Sequence, residues 1–261
     1  MKLPLYQVDA FTERAFRGNP AAVVLLERWL PDATLAAIAA ENNLAETAFV
    51  IPGEGPMPLR WFTPTVEVDL CGHATLASAH VLFRHRFSSL KRIEFETKSG
   101  TLTVVRDGEL LSMDFPSRPG KRAAQTDQAG TALGRTPGET LLARDLIAMF
   151  DSQADIEALH PDMARVAAID AFAVAATAPG GDCDYVFRFF APRQGIPEDP
   201  ATGSVHCTLA PYWAARLGKT RLTARQLSPR GGEFVCTLAG NRVLIAGRTA
   251  EFLRGEITIP D

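Results

Sequence analysis

Two short stretches of this 261-residue chain combine residue types suited to gripping a small acid and moving a proton. Cys71-Gly72-His73-Ala74-Thr75 follows Trp61-Phe62-Thr63-Pro64, and Asp199-Pro200-Ala201-Thr202-Gly203-Ser204 follows Phe189-Phe190-Ala191-Pro192; each leads into a long apolar run. A helix opening on such a cluster offers unpaired backbone N–H groups and the positive end of its dipole, and both favour an anion. Two such starts facing each other across a cleft would hold one small acid between them.

Glu46 is the candidate proton carrier. Its neighbours Leu44, Ala45, Ala48, Phe49 and Val50 predict partial desolvation, which raises a carboxyl pKa toward the range useful for acid/base work. The spacing Asn43-x-x-Glu46 also fits a capping box at a helix start, and spacing alone leaves both roles open. His73, just after Gly72, sits where a helix dipole lowers an imidazole pKa and leaves a neutral ring able to orient or protonate a ligand; a first-turn histidine capped by solvent is the plainer role. Cys71 occupies the glycine-opened environment that lowers a thiol pKa. Its counterpart is Thr202, so a symmetric pair of thiol bases is unavailable. Asp199-Pro200 reads as a helix cap followed by a first-turn proline, and capping is compatible with a role for Asp199 as a second proton carrier.

The elements that must position these residues follow from pattern. Leu5–Phe11 and Ala21–Leu26 read as strands joined by a Gly18-Asn19-Pro20 turn, and a helix from Pro31-Asp32 through Ala40 stops at Asn42-Asn43. Glu46 is then expected in the loop before a strand Thr47–Ile51. Residues 60–63 read as a strand and 73–83 as a helix too apolar for any surface, hence central. Strands 93–97, 102–106 and 110–115 form an expected antiparallel meander. The Pro-, Gly- and Ser-rich stretch 116–140 marks a boundary or an exposed excursion. Beyond it, 171–176 and 184–190 read as strands, 204–217 as a second apolar helix, and 233–238, 242–246 and 251–259 as a closing meander. Pro211 falls inside that helix and deprives the Cys207 carbonyl of its partner.

Composition narrows the function classes. The net charge of -3, from 27 Lys plus Arg against 30 Asp plus Glu, offers no general attraction to nucleic acid or to an anionic membrane. The four cysteines lack C-x-x-C spacing, which argues against a zinc site or a disulfide framework; Cys183, Cys207 and Cys236 are expected to pack as small apolar residues. No signal-peptide core and no apolar run of about 18 residues is present, so a soluble, cytoplasmic protein is expected.

Taken in order, Gly18-Asn19-Pro20-Ala21-Ala22-Val23, Asn43-Leu44-Ala45-Glu46-Thr47, Phe62-Thr63-Pro64, Gly72-His73-Ala74-Thr75 and Glu198-Asp199-Pro200-Ala201-Thr202-Gly203-Ser204 resemble the phenazine-biosynthesis PhzF-like family across nearly the whole chain. The resemblance implies an α+β, diaminopimelate epimerase-like fold: two pseudo-symmetric domains, each a curved, mostly antiparallel sheet wrapped around a central helix, with the active site between them. The expected division is residues 1–116, joined by 247–261, and residues 117–246.

The resemblance also implies a cofactor-independent isomerase of a small carboxylic or amino acid, with Glu46 shuttling the proton and His73 and Asp199 assisting. Asn19, Gly72, His73, Thr202, Gly203 and Ser204 would contact the substrate, no metal or cofactor is expected, and a homodimer is the expected assembly. Cys71 departs from the small inert residue of the phenazine enzymes. It leaves open a dehydratase or one-sided epimerase using Cys71 as base, as in hydroxyproline dehydratases. A non-catalytic small-molecule-binding or interaction protein with the same fold is the third reading.

Overall fold

The computed structural model describes residues 1–259 and divides into two compact units. Met1–Asp114 with the C-terminal stretch from Ala246 forms unit 1, and Phe115–Ile245 forms unit 2.

Unit 1 begins with β1 (Lys2–Ala10) and β2 (Asn19–Leu25), an antiparallel pair. Helix α1 (Asp32–Asn42) ends at Asn43, which takes the left-handed conformation asparagine tolerates better than most residues. The chain returns as β3 (Glu46–Val50), parallel to β2 with Glu46 opposite Ala21, and continues as the antiparallel β4 (Met57–Phe62) and the short β5 (Glu67–Val68). Helix α2 (Gly72–His85) precedes β6 (Arg92–Thr97), which pairs in parallel with β4; β7 (Gly100–Asp107) and β8 (Leu110–Pro116) close the expected antiparallel meander. A parallel pair needs a crossover, and α1 and α2 are those crossovers.

Unit 2 repeats the path. It opens with β9 (Lys121–Ala123), α3 (Thr126–Leu133), β10 (Glu139–Leu142) and β11 (Leu146–Met149). The short helices α4 (Gln153–Glu157) and α5 (Met163–Ala167) then cross over to β12 (Val174–Pro179), parallel to β11. β13 (Tyr185–Phe190) is antiparallel to β12, and α6 (His206–Leu217) crosses over to β14 (Arg221–Gln226), parallel to β13 and antiparallel to β15 (Gly232–Ala239). After β16 (Arg242–Gly247), β17 (Thr249–Thr258) pairs along β1 in unit 1. Sequence pattern missed β5, β9 to β11, β14 and α3 to α5. Several are only a turn or a few residues long, too short for periodicity to register. The Ser152/Asp155 capping box that starts α4 was a usable signal.

Helix α2 is as deeply buried as its composition requires, with Ala74 to Ala79 and Val81 to Phe83 out of solvent. Its hydroxyls do not go unpaired: Thr75 donates to the Cys71 carbonyl at 2.6 Å and Ser78 to that of Ala74 at 2.8 Å. At the polar end, His80 meets Thr249 at 2.7 Å and His85 meets Glu251 at 2.6 Å, tying α2 to β17. In unit 2 the Cys207 carbonyl orphaned by Pro211 accepts the Arg118 N–H at 2.8 Å.

Candidate active site

Glu46 is not in a loop but is the first residue of β3, so the parallel pairing with β2 sets its backbone. No helix begins there, and Asn43 caps the end of α1 rather than the start of anything; the capping-box role is excluded. Asn42 Nδ2 donates to Thr47 Oγ1 at 3.1 Å, which fastens the end of α1 to the strand beside Glu46.

The loop from β4 to α2 delivers Cys71 and His73 to the same place. Thr63 Oγ1 accepts the N–H groups of Thr65 and Val66 at 3.2 and 3.0 Å, forming a turn of the expected Phe-x-Pro type. Arg60 forks onto Glu67 at 2.7 and 2.9 Å and bonds Asp32 at 2.9 Å, pinning β4, β5 and α1. Cys71 is then the extended N-cap of α2, followed by Gly72 and His73 in the first turn. The N–H groups of Gly72 and His73 have no acceptor among the described residues.

Glu46, Cys71 and His73 come together, their donor atoms all within 4.8 Å of one another. His73 Nε2 lies 3.0 Å from Glu46 Oε2, and Cys71 Sγ lies 3.6 Å from His73 Nδ1. The side chains of His73 and Glu46 are 11% and 13% exposed, so the pair is screened from bulk water yet reachable. The contact is close but not aligned as a hydrogen bond, and Oε2 keeps its acceptor capacity although buried.

This geometry reverses three sequence expectations about charge. Burial alone would raise Glu46, but the charge of the adjacent His73 outweighs it and holds the carboxyl below its ordinary range. Burial opposes charge on His73, yet the Cys71 sulfur and the Glu46 carboxylate prevail and lift it well above ordinary imidazole. Cys71 is pushed up by burial and by the Glu46 charge, the opposite of the lowering expected of a helix start. Each of the three groups is thus shifted by the other two.

In unit 2 the segment Asp199–Ser204 does not open a helix. Helix α6 begins at His206, with Val205 as a cap that supplies no side-chain bond, so Asp199 is not its cap. Instead Gln226 clips the loop to the end of β14: its Oε1 accepts the Thr202 N–H at 2.7 Å and its Nε2 donates to the Asp199 carbonyl at 2.5 Å. Ser228 donates to the Pro200 carbonyl at 2.6 Å, and Thr202 Oγ1 donates to the Asp199 carboxylate. Thr202 therefore has no N–H to spare for a ligand, whereas those of Gly203, Ser204 and Val205 find no acceptor among the described residues. Glu198 is occupied by Arg188, at 2.7 and 2.8 Å.

Two residues that sequence reasoning passed over matter here. Gln226 holds the loop, and Arg144 donates to Ser204 Oγ at 3.0 Å while bonding Asp145 at 3.1 Å through two nitrogens. Both are distant in sequence from what they hold, and no local motif marks either. Asn19 is wholly buried, two residues before the Ala21 that pairs with Glu46, and so on the same face of β2 as Ala21.

The profile of the phenazine biosynthesis-like protein family matches residues 8–255. The chain belongs to this family. Among relatives, an uncharacterized isomerase of Pseudomonas aeruginosa is 48% identical over 257 residues, covering 98% of this chain and 99% of that one. The crystal structure of a PhzF-family phenazine biosynthesis protein from Enterococcus faecalis superposes with a TM-score of 0.97 at 43% identity, covering 99% of this chain and 100% of the other. A hydroxyproline epimerase from Agrobacterium vitis, 14% identical with a TM-score of 0.62 over 100% of this chain and 93% of its own, shares the fold. The fold is thus α+β and diaminopimelate epimerase-like. All four cysteines are free, and among the described residues no helix is long and apolar enough to cross a membrane.

Proposed function

We propose that the protein is a cofactor-independent isomerase in which Glu46 carries a proton between two positions of a small carboxylic or amino acid. The observation that carries this reading is the Glu46–His73 pair, 3.0 Å apart, at a helix start whose Gly72 and His73 N–H groups lack acceptors. Membership of a family whose relatives include proteins named isomerases supports it.

In the proposed step the C–H bond breaks, its proton goes to Glu46 and its electron pair moves into the adjacent π system of the substrate. The N–H groups of Gly72 and His73, with the His73 imidazolium, stabilise the negative charge that develops. Glu46 then returns the proton to a different carbon, so product and substrate have the same composition. A carboxylate of lowered pKa is a weaker base in the resting state; engagement of the imidazolium by substrate would relieve that suppression and make Glu46 more basic when it is needed. Gly203 and Ser204 are proposed to bind the acid through their N–H groups, with Arg144 holding the Ser204 hydroxyl as an acceptor so that its own proton points elsewhere. Asp199, bonded to the Thr202 hydroxyl, is the proposed second proton carrier.

A thiol raised in pKa by burial is a poor general base, which weighs against Cys71 in that role. Candidate small acids incubated with the enzyme in deuterium oxide test the proposal. Carbon-bound deuterium should appear in substrate or product with wild type and not with Glu46→Gln; equal exchange in both proteins would remove Glu46 from the chemistry.

A further inference from the structure

The proposed reaction uses Glu46 and His73 but leaves Cys71, which lies beside them, without a role. A thiol, an imidazole and a carboxylate are the three side-chain types that bind zinc, and here they converge from an N-cap, the first turn of α2 and the first residue of β3. Zinc bonds of about 2.3 Å to sulfur and about 2.0–2.2 Å to nitrogen and oxygen give a tetrahedron whose edges are roughly 3.3–3.6 Å. His73 Nε2 lies 3.0 Å from Glu46 Oε2 and 4.0 Å from Cys71 Sγ, and all donor atoms fall within 4.8 Å of each other. Adjustments of at most about 1.5 Å in any separation bring three donors to the corners of one tetrahedron and leave the fourth corner for water or a ligand oxygen. The buried Glu46 Oε2, without an aligned donor, is the acceptor such an ion would satisfy.

We infer that the Glu46–Cys71–His73 cluster is an inhibitory site for a zinc-type divalent cation, which on binding occupies the proton-carrying carboxylate. The balance is an exchange: the cation takes the sulfur and nitrogen electron pairs, the Cys71 thiol proton and the His73 imidazolium proton leave to solvent, and no oxidant or reductant is involved. Cys71 thereby acquires a role that does not require it to be a base. That binding would inhibit rests on the proposed reaction, whereas cation binding itself is measured whether or not Glu46 moves a proton.

The test is titration of the chelator-treated full-length protein with cobalt(II), read by absorption, followed by displacement with zinc. One equivalent should produce tetrahedral ligand-field bands together with a near-ultraviolet thiolate-to-cobalt band, and zinc should abolish both. Cys71→Ser should lose the thiolate band, and Cys71→Ser and Glu46→Gln should each weaken zinc binding by more than about tenfold. A protein with Cys183, Cys207 and Cys236 all replaced by alanine should keep the band. Circular dichroism establishes that each variant is folded, and zinc X-ray absorption on the wild-type protein gives a readout that needs no variant, with one sulfur and two to three nitrogen or oxygen neighbours expected. Octahedral cobalt spectra, a thiolate band that survives Cys71→Ser, or zinc with no sulfur neighbour would each overturn the inference.

Discussion

The two units run the same chain path with different results at the equivalent point. In both, a strand ending in Phe-x-Pro leads through a turn to a crossover helix, α2 in unit 1 and α6 in unit 2. Aligned on those turns, Thr47 faces Phe62 and Val174 faces Phe190, so Glu46 corresponds to Ala173. Each helix also carries a histidine in its first turn, and the two behave oppositely. His73 has a carboxylate 3.0 Å away and is lifted well above its ordinary range. His206 is wholly buried against Phe187 and Phe234, with Tyr185 Oη 2.6 Å from its Nδ1, and burial lowers it to about 3. Position at a helix start therefore does not set the charge of an imidazole. Burial and the charged groups beside it do.

The largest effect that would break this contrast is on chemistry. His73→Gln removes the imidazolium and should lower turnover about 10²–10⁴-fold, measured as the initial rate of deuterium incorporation. The same change at His206 should leave the site chemistry of unit 1 alone and act on stability. Next in size is the unit 2 clip. Gln226→Leu removes the partner of the buried Thr202 N–H and one donor to the Asp199 carbonyl, and should destabilise the protein by about 1–3 kcal/mol in denaturant unfolding, the cost of one unsatisfied buried group. No loss would mean that the loop is held by other contacts.

The smallest effect is the pH signature, and it separates the two histidines directly. Glu46, lowered from 4.5, contributes stability above that value and loses it as pH falls through its folded pKa. His73, raised from 6.5, contributes below 6.5 and loses it as pH rises through its folded pKa. Together they stabilise unit 1 most between 4.5 and 6.5. His206 has the opposite sense: its contribution is lost as pH falls from 6.5 toward about 3. Ring resonances in histidine NMR titrations should show His73 changing above the ordinary imidazole range and His206 remaining neutral down to about pH 3. A His73 midpoint below 6.5 would contradict the pairing.

How much of this was legible in the sequence differs between the units for the same physical reason. Helix α2 was expected over 73–83 and spans Gly72–His85, because a run buried on all sides is apolar throughout and its glycine start is local. Glu46, Cys71 and His73 were visible as types, but their pKa directions depend on who faces whom after β3 and α2 pack, and helix position alone pointed the wrong way. In unit 2, Asp-Pro followed by small polar residues looks like a helix entry. What overrides that local signal is Gln226, on a strand β14 that pattern did not reveal. Arg144 and its bond to Ser204 span 60 residues and carry no motif. Local chemistry reads out of a sequence, and long-range hydrogen bonds that redirect a loop do not.

The central claim is that Glu46, and not Cys71, carries the proton. Its most direct test is solvent-deuterium incorporation at carbon, followed by mass spectrometry in wild type, Glu46→Gln and Cys71→Ala with the same small acid. Incorporation that disappears in Glu46→Gln and persists in Cys71→Ala is the predicted result. Incorporation that persists in Glu46→Gln and disappears in Cys71→Ala would contradict it.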